Sequence, residues 1–386
     1  INFTTSERVM PGLKLRINGI ERPVASRFDN GTVDKTGTQW QAFYVLGIAD
    51  TGVLSLSEMD AYDPAGNLIT FDPNLANKSV TMDNTPPKVT SVSLSTNNSG
   101  TLFNDLTGQA RPNDLVAFYQ DNVTLKFETS ERVRIQPKVK INGDMKLATA
   151  QVIDNITDTS GTKWQAVYQV KDNDTGLVIF SNFFGLDPAG NYLEYDNNTV
   201  QSLTTVTMDT SQPSVTSVEL STDNILSGTL YDNVTGLARD NDSVVKANDN
   251  VTLKFITSER VFTPKVKING EEKAAIPQKI LGSDDKSGRH WKAVYNVKDN
   301  DSGVVSFSDF NAKDNAGNSL EYSSSAVLSP RTVTMDNTQP SIISVELSTD
   351  NILSGTLFDN VTGQSIANHS VVRFGDNVTL KFETSE

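Results

Sequence analysis

The side chains with chemistry to offer in this 386-residue chain are carboxylates, and they recur in register. Asp172 and Asp174 stand in KDNDTG, and Asp299 and Asp301 in KDNDSG. Asp121 and Asp249 each precede an Asn in a matching turn, and Asp209 and Asp336 each close a segment VTMD. Asp187 and Asp314 open DPAGN and DNAGN, while Glu131 and Glu259 belong to the tripeptide Ser-Glu-Arg. Hard oxygen donors in this number suit calcium, which takes six to eight oxygens in loose geometry. Covalent and acid–base catalysis are poorly served. There is no cysteine, and the two histidines, His290 and His369, are not equivalent between repeats. No nucleophile elbow, zinc-binding HExxH or phosphate-cradling glycine loop occurs. Aspartates in turns ordinarily accept from backbone amides, so no enzymatic activity is expected.

Composition narrows the partners. A net charge of −14 opposes nucleic acid and anionic membrane surfaces. The 37% hydrophobic content is enough to fill cores, and the length allows about three domains. The absence of cysteine excludes disulfide stapling, thiolate zinc sites and thiol catalysis. No run of 18 apolar residues and no signal peptide is present. Ile1 falls inside a repeat, so the chain reads as a window on a longer polypeptide.

The elements that must position these carboxylates are written repeatedly. Residues 123–133 read VTLKFETSERV and residues 251–261 VTLKFITSERV, while INFTTSERV opens the chain and VTLKFETSE closes it. Equivalent positions Ile1, Leu125, Leu253 and Leu380 lie 124, 128 and 127 residues apart, a period of whole-domain size. Val123, Leu125 and Phe127 alternate with Thr124, Lys126 and Glu128, which predicts a strand with one apolar face. PKVKING follows at 137–143 and 264–270, a strand closed by an Asn-Gly turn. Next come strands around Trp40, Trp164 and Trp291, the DND turns, the DPAGN-type segments, VTMD and a Pro-containing linker. The first strand of each repeat (88–95, 214–221, 341–348) changes apolar parity partway, which predicts a bulge or a crossing between sheets. About seven strands per ~125 residues and no helical periodicity predict β-sandwiches. Their bounds are 1–86 (lacking its first strands), 87–212, 213–339 and 340–386 (first strands only).

The order of these signals resembles the tandem bacterial Ig-like (Big-type) domains of large surface, adhesin or filament proteins. The similarity runs over the whole chain; each motif alone is weak. It implies an all-β fold of tandem immunoglobulin-like β-sandwich domains arranged as an elongated rod. It also implies an extracellular or cell-surface location and a structural or adhesive role. Threading seven strands through such a sandwich puts successive loops at opposite ends. At the joint between 87–212 and 213–339 it gathers Asp121, Asp172, Asp174 and Asp209 against Glu259 and Asp314. The next joint repeats the set with Asp249, Asp299, Asp301 and Asp336. Clustered carboxylates repel unless a cation neutralises them, so calcium at domain junctions is the expected cofactor. The first repeat carries Ile48 and Ala49 in place of Asp172 and Asn173, which predicts a poorer site. The plainer reading is that these residues only close turns.

The remaining features are expected to be structural. The tryptophans are in phase with the apolar face and read as core. The Asn-x-Ser/Thr triplets at Asn122, Asn155, Asn233, Asn250, Asn360 and Asn377 are glycosylation acceptors only in a eukaryotic secreted chain. Lys126, Lys254 and Lys381 point away from the core, against an isopeptide crosslink. The function expected is a stalk or filament, with further copies of itself as partners; the alternative is an adhesin that binds carbohydrate or protein. Residues 340–386 could complete residues 1–86 of another copy by strand addition, but Leu380–Glu386 duplicates Ile1–Glu7, and the longer fibre is the preferred reading.

Overall fold

The computed structural model describes all residues except 73, 75–78, 225–228, 233, 240, 241, 353, 354, 367–369 and 386. Asn233, His369 and Glu386 therefore lie outside the described residues. Among those described there is no α-helix; the regular elements are strands. No helix is long and apolar enough to cross a membrane, which says nothing of membrane-spanning strands.

The second repeat shows the plan. One sheet orders Val89–Thr96, Asn122–Thr129, Lys163–Gln169 and Thr149–Ala150. Opposite it, Thr101–Phe103, Ala110–Ala117, Thr205–Asp209 and Thr175–Leu177 form a second layer. Thr175–Leu177 leads into Phe180–Leu186, which pairs with Ile135–Ile141, itself paired with Asp144–Leu147. Ala110–Ala117 runs parallel to Thr205–Asp209, and the other pairings are antiparallel. The third repeat reproduces this arrangement between Val215 and Met335. The chain is thus a tandem array of β-sandwich domains.

Alternation decides which face is inside. Val123, Leu125 and Phe127 are at most 1% exposed, as are Val251, Leu253 and Phe255. Trp40, Trp164 and Trp291 are buried at 3%, 8% and 7%. Phe127 meets Phe183 edge-on at 5.0 Å and Phe183 meets Tyr195 at 4.5 Å; Phe255, Phe310 and Tyr322 repeat the cluster at 5.0 and 4.5 Å. Each of the three sandwiches has a core of its own, smallest in the first. The parity change in the first strand is a slip of register between Val89 and Ser91, and again between Val215 and Ser217. The Asn-Gly turns have positive φ at both residues, 48° and 85° at Asn142–Gly143, the geometry that suits a tight hairpin.

In the first sandwich, Asn2–Thr4 pairs with Gln39–Ala42 on one side. A cleft of about 650 Å³ lies against Ile1–Glu7, Leu56, Met59 and Ile69–Phe71. In the second sandwich the strand Val89–Thr96 pairs along the equivalent edge. The strand pair Ile342–Thr349 and Val378–Thr384 has the same register slip, between Ile342 and Ser344, and exposes Val345, Leu347, Leu380 and Phe382.

By internal contact the chain divides into two units. One comprises Ile1–Asn104, Gln109–Ser211 and Asn315–Asn318, and so holds the first two sandwiches; the other comprises Asp105–Gly108, Gln212–Asp314 and Ser319–Glu386.

Candidate metal centre

The segment DPAGN builds one wall of the site. Asp187 is 2% exposed, and its Oδ1 accepts from the amides of Gly190 (2.6 Å) and Asn191 (2.8 Å). Its Oδ2 accepts from Asn191 Nδ2 at 2.8 Å. The same Nδ2 donates to the carbonyl of Asp83, 3.0 Å away, at the end of the first sandwich, and to that of Thr85 at 3.4 Å. Gly190, at φ 100°, supplies the left-handed turn that this loop needs. A loop of the second sandwich thereby holds the last residues of the first.

The linker is bonded on its other flank as well. Lys88 N donates to Ser130 Oγ (2.9 Å) and Ser130 N to Lys88 O (2.8 Å). Glu194 N donates to Pro87 O and Val89 N to Glu194 O. Ser130 precedes Glu131, whose carbonyl accepts from Thr129 Oγ1 at 2.7 Å. The Asp83 carboxylate folds back to accept from Thr85 N at 3.0 Å. The outcome is that Asp83, Glu131 and Asp187 present carboxylate oxygens all within 4.8 Å of one another.

The electrostatics of this group are unfavourable as it stands. At 4.8 Å two like charges repel by about 0.9 kcal/mol in water and about 3.5 kcal/mol at an effective dielectric of 20. Burial, and then the charges of Asp83 and Asp187, push the Glu131 carboxyl above its ordinary range. Burial also pushes Asp187 up, but the donors from Asn191, Gly190 and Ala189 outweigh it and hold the carboxyl below its usual range. Among the described residues no lysine or arginine lies within ion-pair distance of the three. Hard oxygen donors lacking a protein counter-charge fit a hard cation; this group could hold a metal ion.

The carboxylates singled out from sequence are placed as follows. Asp121 accepts from Phe118 N (2.6 Å) and Asn98 Nδ2 (2.7 Å), and Asp249 from Lys246 N and Asn224 Nδ2, both 2.8 Å. Asp174 accepts from Tyr168 Oη (2.6 Å) and Lys171 N (2.8 Å), and Asp301 from Tyr295 Oη and Lys298 N at the same distances. Asp172 and Asp299 are exposed. Asp209 and Asp336 accept from Ser211 N (3.0 Å) and Thr338 N (2.9 Å). None of Asp121, Asp172, Asp174, Asp249, Asp299, Asp301 and Asp336 joins a group of three carboxylates among the described residues. Asp209 belongs to the first unit, Glu259 and the buried Asp314 to the second.

Asp83, Glu131 and Asp187 are the sequence equivalents of Asp209, Glu259 and Asp314. They were missed as a set because Ile48 and Ala49 replace the first part of the DND turn. In the structure that turn serves a tyrosine: Asp50 accepts from Tyr44 Oη as Asp174 does from Tyr168. The replacement therefore leaves the carboxylates at the linker untouched. The glycosylation-type triplets include asparagines already engaged: Asn250 and Asn377 donate to Asp223 and Asp350 at 2.8 and 2.7 Å.

No family model and no curated protein matches this chain. Among solved structures, the anomalous substructure of Titin-A168169 is similar at 15% identity, over 59% of this chain and 98% of that chain, with a TM-score of 0.17. A score at that level adds nothing to the reading of the sandwiches, which rests on their own strand order.

Proposed function

We propose that this chain is a structural spacer: a stalk or filament segment of Ig-like domains, of the kind found in bacterial Big-type surface proteins, working outside the cell. It carries no catalytic role. The observation that supports this reading is the joint between the first two sandwiches. Each of its flanks is hydrogen-bonded to the second sandwich, and three carboxylates face one another across it. A spacer needs joints that resist bending. A cation bound by Asp83, Glu131 and Asp187 ties a residue of one domain to two loops of the next.

Calcium is the ion proposed, because carboxylates at loose spacing meet its tolerance for irregular oxygen coordination better than they meet the octahedral demand of magnesium. Asp209, Glu259 and Asp314 repeat the residue types at the next linker in sequence. Small-angle scattering and calorimetry of the full chain, in calcium and in EDTA, test the proposal. Calcium should raise the melting temperature and reduce interdomain flexibility. Superimposable melting and scattering curves in the two buffers would end the calcium reading.

A further inference from the structure

One solvent face of the second sandwich lacks the ion pairs that the same face carries in its siblings. It is formed by Ile135–Ile141, Asp144–Leu147 and Phe180–Leu186. Strand register sets Leu147, Lys138 and Phe184 side by side, and Ile135, Leu186 and Tyr192 in the next row. Ile135, Met145, Leu147, Phe184 and Tyr192 are between 45% and 75% exposed.

In the other two sandwiches this face is a lattice of ion pairs. The first has Lys14–Glu21 at 2.6 Å and Arg16–Glu58 at 3.4 Å; the third has Lys265–Glu272 at 2.7 Å and Lys267–Asp309 at 2.8 Å. The register makes Lys138 and Lys140 the equivalents of those bases. The second sandwich keeps both bases and loses both acids, since Met145 stands for Glu21 and Glu272, and Asn182 for Glu58 and Asp309. Among the described residues no carboxylate lies within ion-pair distance of Lys138 or Lys140. Phe184 and Tyr192 replace Asn311 and Ser319 of the third sandwich, while the first has Asp60 and an exposed Leu68 at these places. A face that is both apolar and left with two uncompensated positive charges is shaped for contact with an acidic surface.

The geometry points to this face as a docking surface for a second copy of the chain. The chain carries 47 acidic side chains against 33 basic ones, so another copy offers local carboxylates to Lys138 and Lys140 even though two copies of net charge −14 repel at long range. A two-fold pairing of the face with itself would set lysine against lysine. The contact is therefore heterologous, between this face and an acidic part of the next copy. The exposed patch is on the order of 500 Å², and covering it buries about twice that area, at the lower limit of specific interfaces. Association is accordingly weak, with a dissociation constant of roughly 10 μM to 1 mM.

Sedimentation velocity of the full 386-residue chain tests this, from about 5 μM to about 500 μM. Two double variants carry residues that the third sandwich already tolerates: Met145→Glu with Asn182→Asp, and Phe184→Asn with Tyr192→Ser. Their melting curves serve as the folding control. The expected result is a wild-type mass that rises with concentration in EDTA as in calcium, falls as salt is added, and is at least tenfold less concentration-sensitive in both variants. A wild-type chain that stays monomeric to the highest concentration overturns the proposal and leaves the face to a different anionic partner. Variants that associate as wild type does overturn it equally. Because association is read in EDTA, it fails or holds independently of the calcium-stiffened joint.

Discussion

Replacing Glu131 with glutamine removes one charge from the joint and keeps its shape. Glu131 takes part in two of the three carboxylate pairs that lie within 4.8 Å. With solvent screening, each pair costs about 0.9 kcal/mol or somewhat more, so the substitution relieves about 2 kcal/mol when no cation is present. The raised carboxyl of Glu131 has the same sign: burial and its acidic neighbours disfavour the charged form. For an acid raised in the folded state, the penalty is absent below the unfolded value and complete above the folded one, so it is present at pH 7. In EDTA at neutral pH, Glu131→Gln should therefore melt higher than wild type, by several degrees for a domain of this size. In calcium at about a hundred times its dissociation constant, a bound ion contributes about 2.7 kcal/mol to wild type. The order should then reverse, and titration calorimetry should show one fewer calcium equivalent in the variant. If Glu131→Gln melts at or below wild type in EDTA, the carboxylates do not oppose one another and the argument for a cation fails.

Other expectations follow from single groups. Asn191→Ala removes the amide that grips the Asp83 and Thr85 carbonyls; hydrogen exchange across residues 83–88 should accelerate, with a loss of about 1 kcal/mol. Phe255→Ala empties a core position that is 1% exposed and should destabilise the third sandwich by about 3–5 kcal/mol in denaturant titration. Burial pushes the Asp285 carboxyl up, but Ser287 and the amides of His290 and Arg289 outweigh it and hold it at about 2. Its stabilisation is present above the unfolded value and is lost as pH falls toward the folded one. The melting temperature of wild type should therefore converge on that of Asp285→Asn as pH drops from about 4 to about 2; parallel curves would refute this.

Much of the fold was legible because its rules are local. Alternation in VTLKF put Val123, Leu125 and Phe127 inside, as found at 0%, 0% and 1% exposure. The parity change in the first strand announced the slip between Val89 and Ser91. Asn-Gly announced the turns, since few other pairs accept positive φ at both positions. The candidate site was less legible. Counting aspartates could not tell which carboxylates lie together, since Asp187 and Asp83 accept from amides just as Asp121 and Asp174 do. Asp174 and Asp121, expected at the site from sequence, accept from Tyr168 Oη and Phe118 N and join no group of three carboxylates among the described residues.

Sequence by itself determined the repeated unit, its strands and its cores, because a two-residue period and a turn dipeptide act over a few neighbours. Only the tertiary structure decided which carboxylates meet and which faces are left unsatisfied. Asp83, Glu131 and Asp187 are separated by 48 and 56 residues of chain, and it is the hydrogen bonds of Asn191 and Ser130 to the linker that bring them together. Likewise, the substitution of Met145 and Asn182 for acids is plain in the sequence. That it strands Lys138 and Lys140 on an apolar face follows from strand register, a long-range property that no local pattern encodes.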